Sequence, residues 1–135
     1  MKKIFIVSNI MLLALAMTGC IDRDVLDRKD GTSLPAVQEL KSSLTNGRDA
    51  SLQWTVPSNI PAEIRRPLSV YIQVYRGSTL EYQISLQDEP SAWNYTLAEP
   101  ESKYRVVVKM QGWLKEKTTG ISDEIYSPGQ TVELN

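Results

Sequence analysis

Apolar and polar side chains alternate through several short segments of this chain, and this pattern limits the folds that the chain can adopt. In the segment 68–76, Val70, Ile72 and Val74 occupy every second position. Alternate side chains of a β-strand point to opposite faces, so this period predicts strands with one buried face. Similar segments recur along the chain at 36–43, 52–56, 80–86, 93–97, 104–110 and 125–134. Short strands separated by frequent turns predict an all-β fold with seven strands.

The sequence predicts two connections between strands and leaves one segment ambiguous. Thr45 to Asp49 is predicted to be a turn, because Asn46 and Gly47 at its centre tolerate a left-handed backbone. Residues 112–124 are predicted to form a long loop. The segment 36–43 is ambiguous, since Val37 and Leu40 would suit either a strand or one helical turn.

The segment from Leu97 to Val108, LAEPESKYRVVV, resembles a known corner between two strands. It is similar to the corner between strands E and F of fibronectin type III domains, where a Leu and a Pro precede a Tyr that is followed by alternating valines. The resemblance implies that the Tyr104 ring packs in the core beside Leu97 and that its hydroxyl bonds an upstream backbone group. Segments 52–57, 68–75 and 127–134 resemble strands B, C and G, which implies a fibronectin type III-like β-sandwich over residues 35–135.

The first twenty residues have the order of parts found in an export signal. Lys2 and Lys3 precede a mostly apolar stretch, Ile4 to Met17, which is too short to span a bilayer. Thr18-Gly19-Cys20 then resembles the lipobox of bacterial lipoprotein signals. The resemblance implies a signal peptide over residues 1–19 and a diacylated Cys20. The residues that follow are dense in charge and poor in apolar periodicity, so residues 20–34 are predicted to form a tether. The alternative for Cys20 is a buried free cysteine in an ordinary secreted protein.

A lipid on Cys20 would place the protein in the cell envelope, anchored to a membrane that we expect to be the outer membrane. Asp22 and Asp24 follow the cysteine closely and resemble surface-export signals of Bacteroidota-type lipoproteins. The alternative for these acidic residues is a solvated tether. Whether the domain faces the periplasm or the cell surface is left open by the sequence.

The composition of the chain argues against several classes of function. The chain contains no histidine, which removes the commonest general base and the commonest metal ligand. No acidic pair lies in a recognisable catalytic context, so we expect no enzyme, no metal site and no cofactor. The 15 basic and 16 acidic side chains form no basic stripe, so a nucleic-acid partner is not expected.

Aromatic side chains that point away from the core are the candidate ligand contacts. Tyr71 and Tyr75 lie on the face of their strand opposite the aliphatic residues, and Trp113 is placed at the start of the long loop. Flat rings of this kind bind sugars and peptides with little loss of side-chain entropy. The alternative for all three is ordinary packing. Trp54 and Trp93 are predicted to belong to the core.

Two functions remain open. The first is a non-catalytic binding or accessory module of the cell envelope, whose ligand would be a glycan or a partner envelope protein. The second is a structural subunit or spacer of a surface assembly, such as a fimbria or an outer-membrane complex. In this second case an edge strand would pair with a neighbour, and strand G at the chain terminus is the candidate edge.

Overall fold

A computed structural model describes residues 32–134, which form strands and no helix. The predictions for the signal peptide, for Cys20 and for tether residues 20–31 lie outside the described residues. None of the described residues belongs to a helix long and apolar enough to cross a membrane. The strands are β1 Gln38–Thr45, β2 Asp49–Thr55, β3 Ser69–Arg76, β4 Thr79–Leu86, β5 Ala92–Thr96, β6 Tyr104–Trp113, β7 Glu124–Tyr126 and β8 Gln130–Leu134.

The strands form two antiparallel sheets that pack face to face. The smaller sheet has the order β1-β2-β5, and the larger has the order β4-β3-β6-β7, with β8 also paired to β6. This arrangement confirms the prediction of an all-β sandwich. Each sheet buries one face of alternating apolar side chains, as the period of two requires.

The strand count differs from the predicted seven because the last segment is broken. Both β7 and β8 pair with β6, and Ser127, Pro128 and Gly129 separate them. Proline has no N–H to donate to a ladder, so pairing stops at this point and resumes at Gln130. The eight strands therefore correspond to seven strand positions, the last of them occupied by two short strands.

The ambiguous segment near the start of the domain is a strand. β1 begins at Gln38, and a bulge lies between Gln38 and Lys41, where Glu39 has a φ of 52°. The predicted turn after β1 is also present: Asn46 and Gly47 have φ values of 54° and 64°, and the N–H of Arg48 bonds the carbonyl of Thr45. Two left-handed central residues suit the twist of a tight hairpin.

The core lies between the two sheets and includes the side chains predicted from the alternation. Leu34 is 1% exposed and packs in this core, so the packed domain begins before residue 35 and the predicted tether overlaps it by at least one residue. The buried apolar side chains are those of Leu34, Val37, Ala50, Leu52, Trp54, Ile64, Leu68, Val70, Ile72, Val74, Leu97, Tyr104, Val106, Val108, Met110, Ile125 and Leu134.

Candidate functional site: the outer face of the larger sheet

The outer face of the larger sheet carries all three aromatic residues that the sequence nominates. Tyr71 and Tyr75 point outward because their neighbours in β3 are buried in the core. Trp113 points the same way. It follows Gln111 by two residues in β6, and Gln111 pairs with Ser69, which lies on the same side of β3 as Tyr71. The prediction that Trp113 belongs to a loop is wrong: β6 runs to Trp113 because its end pairs with β7.

Tyr71 is held in place by contacts with β4 on one side and with β7, beyond β6, on the other. Its hydroxyl donates a 2.6 Å hydrogen bond to Oε1 of Gln83 on β4. On its other side its ring meets the ring of Tyr126 on β7 edge to face, with centroids 5.5 Å apart and planes at 65°. This is a favoured geometry for two aromatic rings. Tyr126 remains 43% exposed, so this pair presents an accessible ring beside a fixed one.

Gln111 is the centre of a hydrogen-bond network on this face. Its Nε2 donates to Oε1 of Glu124 at 2.6 Å and to the hydroxyl of Tyr126 at 3.0 Å. Its Oε1 accepts a short hydrogen bond from the hydroxyl of Ser85 on β4. Although it points outward, Gln111 is only 6% exposed, because its neighbours close around it. A buried amide with both ends bonded is fixed in one orientation.

The surroundings of Tyr126 make its hydroxyl harder to ionise. Burial raises the pKa of Tyr126, and the adjacent Glu124 carboxylate raises it further. The hydroxyl donates a 2.9 Å hydrogen bond to Oε1 of Glu124. The result is one carboxylate that accepts from both Gln111 and Tyr126 and is aimed at the outer surface.

Trp113 and Tyr75 relate to this network differently. Trp113 lies opposite Glu124 in the strand pairing, so it borders the network. Tyr75 is four residues along β3 from Tyr71, about 13 Å away at ~3.3 Å per residue. The guanidinium of Arg105 lies 4.7 Å from the centroid of the Tyr75 ring. The structure therefore brings Tyr71 and Trp113 to the network and leaves Tyr75 apart.

We call this site the polar–aromatic face. It consists of Tyr71, Gln83, Ser85, Gln111, Trp113, Glu124 and Tyr126. The polar members and Tyr126 were missed by sequence reasoning. The alternation of residues 80–86 predicts that Gln83 and Ser85 point away from the core. Their approach to Gln111 depends on the order of the strands, which the sequence does not give.

A second aromatic cluster closes the edge of the sandwich between β4 and β5. The rings of Tyr82, Trp93 and Tyr95 lie 5.3 to 6.0 Å apart, with planes within 33° of parallel. Trp93, predicted to be core, packs against the core but remains partly exposed, because β5 is an edge strand. Trp54 is 4% exposed and buried as predicted.

Glu81 on β4 joins this cluster to the neighbouring charges. Its Oε2 accepts a 3.2 Å hydrogen bond from the Tyr95 hydroxyl, and its Oε1 lies 3.6 Å from the Arg76 guanidinium. Burial and the Glu81 carboxylate raise the pKa of Tyr95 to about 12. Among residues 32–134, no three acidic or cysteine side chains lie close enough together to hold a metal ion.

Comparison with known families assigns this chain to one family, and comparison with solved structures identifies proteins that share its fold. A family described as "Domain of unknown function (DUF4945)" matches residues 20–134. The chain belongs to this family. No functionally curated protein matches its sequence.

Solved structures share the fold of this DUF4945 protein at low sequence identity. A computationally redesigned β-sandwich protein is 17% identical, with a TM-score of 0.52 over 74% of this chain and 87% of that one. Rat CD45 extracellular domains d3-d4 are 12% identical, with a TM-score of 0.54 over 84% of this chain and 58% of that chain. A fibronectin type III domain of human collagen XX is 18% identical, covering 78% and 98%, with a TM-score of 0.48. The fold of this chain is an all-β sandwich of two sheets, which the redesigned β-sandwich protein shares.

Proposed function

We propose that this DUF4945 protein is a non-catalytic binding module of the cell envelope that holds a glycan on the polar–aromatic face. Sandwiches of this build serve many unrelated purposes, so the proposal depends on the site and not on the fold. The membrane anchor at Cys20 and the location at the outer membrane belong to the same proposal.

The observation that carries the proposal is the bonded amide of Gln111 between aromatic rings. A sugar ring offers an apolar face that stacks on aromatic rings, and hydroxyls that need fixed donors and acceptors. Tyr126 supplies an exposed ring, and Glu124 supplies a carboxylate held by two hydrogen bonds. A preorganised set of this kind loses little entropy when a ligand binds.

A glycan array probed with residues 21–135 tests the proposal, followed by calorimetric titration of any saccharide that binds. Tyr126→Ala removes the exposed ring and should weaken binding at least about tenfold, since aromatic anchors dominate interfaces of this kind. Gln111→Leu keeps the size of the side chain, removes the fixed amide and should weaken binding as well.

Tyr75→Ala is the matched control, because Tyr75 lies on the same face but outside the network. This variant should bind as the wild type does. The proposal is wrong if no saccharide binds, or if Tyr126→Ala and Tyr75→Ala weaken binding equally while circular dichroism shows both variants folded.

The second candidate function is a structural subunit or spacer that joins its neighbour through a sheet edge. The predicted edge, strand G, is a poor donor because Pro128 and Gly129 interrupt it between β7 and β8. The edge of β4 supports this function better, because its residues 82–86 run regularly. Cross-linking in intact cells followed by mass spectrometry would identify the neighbour.

A further inference from the structure

Each sheet of the sandwich ends in two edge strands whose outer backbone groups have no partner strand among residues 32–134. They are β1 and β5 in the smaller sheet, and β4 and β7–β8 in the larger. Exposed edges invite pairing with other chains, and proteins suppress this with prolines, bulges, charges or very short edges. An edge that lacks these features is the one at which pairing with another chain is most favourable.

Three edges carry such features. β1 has a bulge at Glu39 with a positive φ, β5 has only five residues, and β7 and β8 are separated at Pro128. β4 is eight residues long, and its register shifts only near Glu81. Beyond that bulge, Tyr82 to Leu86 pair regularly with β3 and contain neither proline nor charge.

The same edge carries exposed apolar surface. Leu80 and Tyr82 are each 41% exposed, and Tyr82 stacks on the partly exposed Trp93. Glu81 is the one charged residue of β4, and it already contacts Arg76 and Tyr95. Its carboxylate is therefore not placed to repel a second strand that approaches the edge. An edge that is regular, uncharged and apolar is suited to binding another strand.

We propose that β4 pairs with β4 of a second copy of this chain, antiparallel, about a two-fold axis at Ile84. The pattern of the segment itself favours a second copy as the partner. Tyr82-Gln83-Ile84-Ser85-Leu86 alternates apolar and polar residues identically in both directions. An isologous contact needs this kind of self-complementary surface.

The proposed register matches each residue with a suitable partner. Tyr82 lies opposite Leu86 of the second copy, Gln83 lies opposite Ser85 of the second copy, and Ile84 lies opposite its own equivalent. Apolar side chains then face apolar ones on the inner side, polar face polar on the outer side, and no like charges oppose each other. A shift by one residue would place apolar residues opposite polar ones.

The pairing would also bring two ligand sites together. A two-fold axis perpendicular to a sheet keeps the same faces on one side, so two polar–aromatic faces would become neighbours. The two β3 strands, which carry Tyr71, would be about 14 Å apart, which is three strand spacings of ~4.8 Å. Two adjacent sites would raise the avidity for a repeating glycan. This consequence rests on the proposed function, whereas the pairing does not.

Cysteine cross-linking of residues 21–135 tests the register. Cys20 is the only cysteine in the chain, so this fragment has none, and it contains all of the buried core residues described above. Gln83→Cys and Ser85→Cys are made separately, each at an exposed position of β4. Directly opposed residues in an antiparallel pair have Cα atoms about 4.5–5.5 Å apart, within disulfide reach.

When the two variants are mixed and oxidised, we expect a disulfide-linked heterodimer. Each variant alone should cross-link far more slowly, because equivalent residues would lie about two positions out of register and beyond ~7 Å. Thr131→Cys, on the exposed side of β8, gives the rate of random collision. Sedimentation equilibrium of the unmodified fragment should show a dimer, and Ile84→Lys should make it monomeric.

Ser85→Lys is the second variant for the case in which Ile84→Lys does not fold. It adds a charge on the outer side of the strand, removes the hydrogen bond from Ser85 to Gln111, and should also give a folded monomer. The pairing is refuted if the unmodified fragment is a monomer up to high micromolar concentration. It is also refuted if the mixed variants cross-link no faster than Thr131→Cys. If the unmodified fragment is a monomer and still binds glycan, the pairing is refuted and the proposed function remains intact.

Discussion

The backbone N–H of Glu99 donates a 3.0 Å hydrogen bond to the hydroxyl of Tyr104 across the corner between β5 and β6. The Tyr104 ring is 2% exposed and Leu97, at the start of the same corner, is fully buried. β5 belongs to the smaller sheet and β6 to the larger, so this corner connects the two sheets. The hydrogen bond fixes the path of the chain where it crosses from one sheet to the other.

Tyr104→Phe should lower the free energy of unfolding by about 1–2 kcal/mol, because the Glu99 N–H loses its acceptor in a partly buried place. The ring remains, so the core packing is unchanged. Urea unfolding followed by tryptophan fluorescence would measure the loss. Tyr75→Phe, the same chemical change on the outer face, should shift the midpoint little, and an equal loss in both variants would contradict the role of the corner.

Glu89 should make the stability dependent on pH in the acidic range. Its carboxylate accepts two hydrogen bonds from the Arg66 guanidinium, at 2.6 and 2.9 Å, and a third from the Leu68 N–H at 2.9 Å. These bonds, those from Arg66 first, hold the pKa of Glu89 below its usual value. The stabilisation is therefore present above the unfolded pKa of about 4.3 and is lost as the pH falls through the lower folded pKa.

Glu89→Gln should cost about 1 kcal/mol at neutral pH, a modest value because the Arg66 side chain is half exposed. The difference between wild type and variant should shrink as the pH falls below about 4.3. Denaturant unfolding at a series of pH values measures this difference. A difference that stays constant down to the acid limit would show that the charge of Glu89 is irrelevant.

Gly112 and Gly77 are needed for different reasons. A Cβ on Gly112 would lie 2.9 Å from Cδ2 of Leu68 and 3.0 Å from Cγ2 of Ile64, inside the core. Gly112→Ala should therefore cost about 1–3 kcal/mol by overpacking. Gly77 has open space around it but a φ of +60°, so Gly77→Ala should cost about 1 kcal/mol through the backbone alone.

Asparagine separates the two cases, because it tolerates a left-handed backbone but fills space. Gly77→Asn should recover part of the stability lost in Gly77→Ala, whereas Gly112→Asn should be worse than Gly112→Ala. Thermal unfolding of the four variants makes the comparison. If Gly112→Ala unfolds at the wild-type temperature, the close approach of β6 to Leu68 is looser than the structure indicates.

The sequence predicts most of the fold because one physical signal dominates it. Alternation places Val70, Ile72 and Val74 on the buried face without any knowledge of the neighbouring strands. Alternation alone does not predict the number of strands or where each strand ends. The break at Pro128 is a local event inside a segment that alternates on both sides, and Trp113 belongs to β6 only because β7 returns to pair with it.

The candidate site is less predictable because it depends on which strands are neighbours. Tyr71 could be recognised as outward-facing from its own strand. Its contacts with Gln83 and Tyr126 come from β4 on one side and from β7, beyond β6, on the other. Gln111 gives no signal in the sequence, since an outward glutamine on a strand is usually solvated. It is buried here because three side chains, those of Ser85, Glu124 and Tyr126, converge on it.

Tyr95 should make the stability fall in the alkaline range. Burial, and then the Glu81 carboxylate, raise its pKa to about 12 in the folded protein, against about 10 in the unfolded chain. Above pH ~10 the unfolded state releases this proton while the folded state keeps it, so the stability falls as the pH rises from about 10 to about 12. Tyr95→Phe has no proton to release, so the loss of stability in this range should be shallower. Urea unfolding between about pH 9 and 11 compares the two proteins, and absorbance of ionised tyrosine should show that the variant lacks a titration step at about pH 12. Parallel loss of stability in both proteins would mean that Tyr95 titrates normally and that its contact with Glu81 is not maintained in solution.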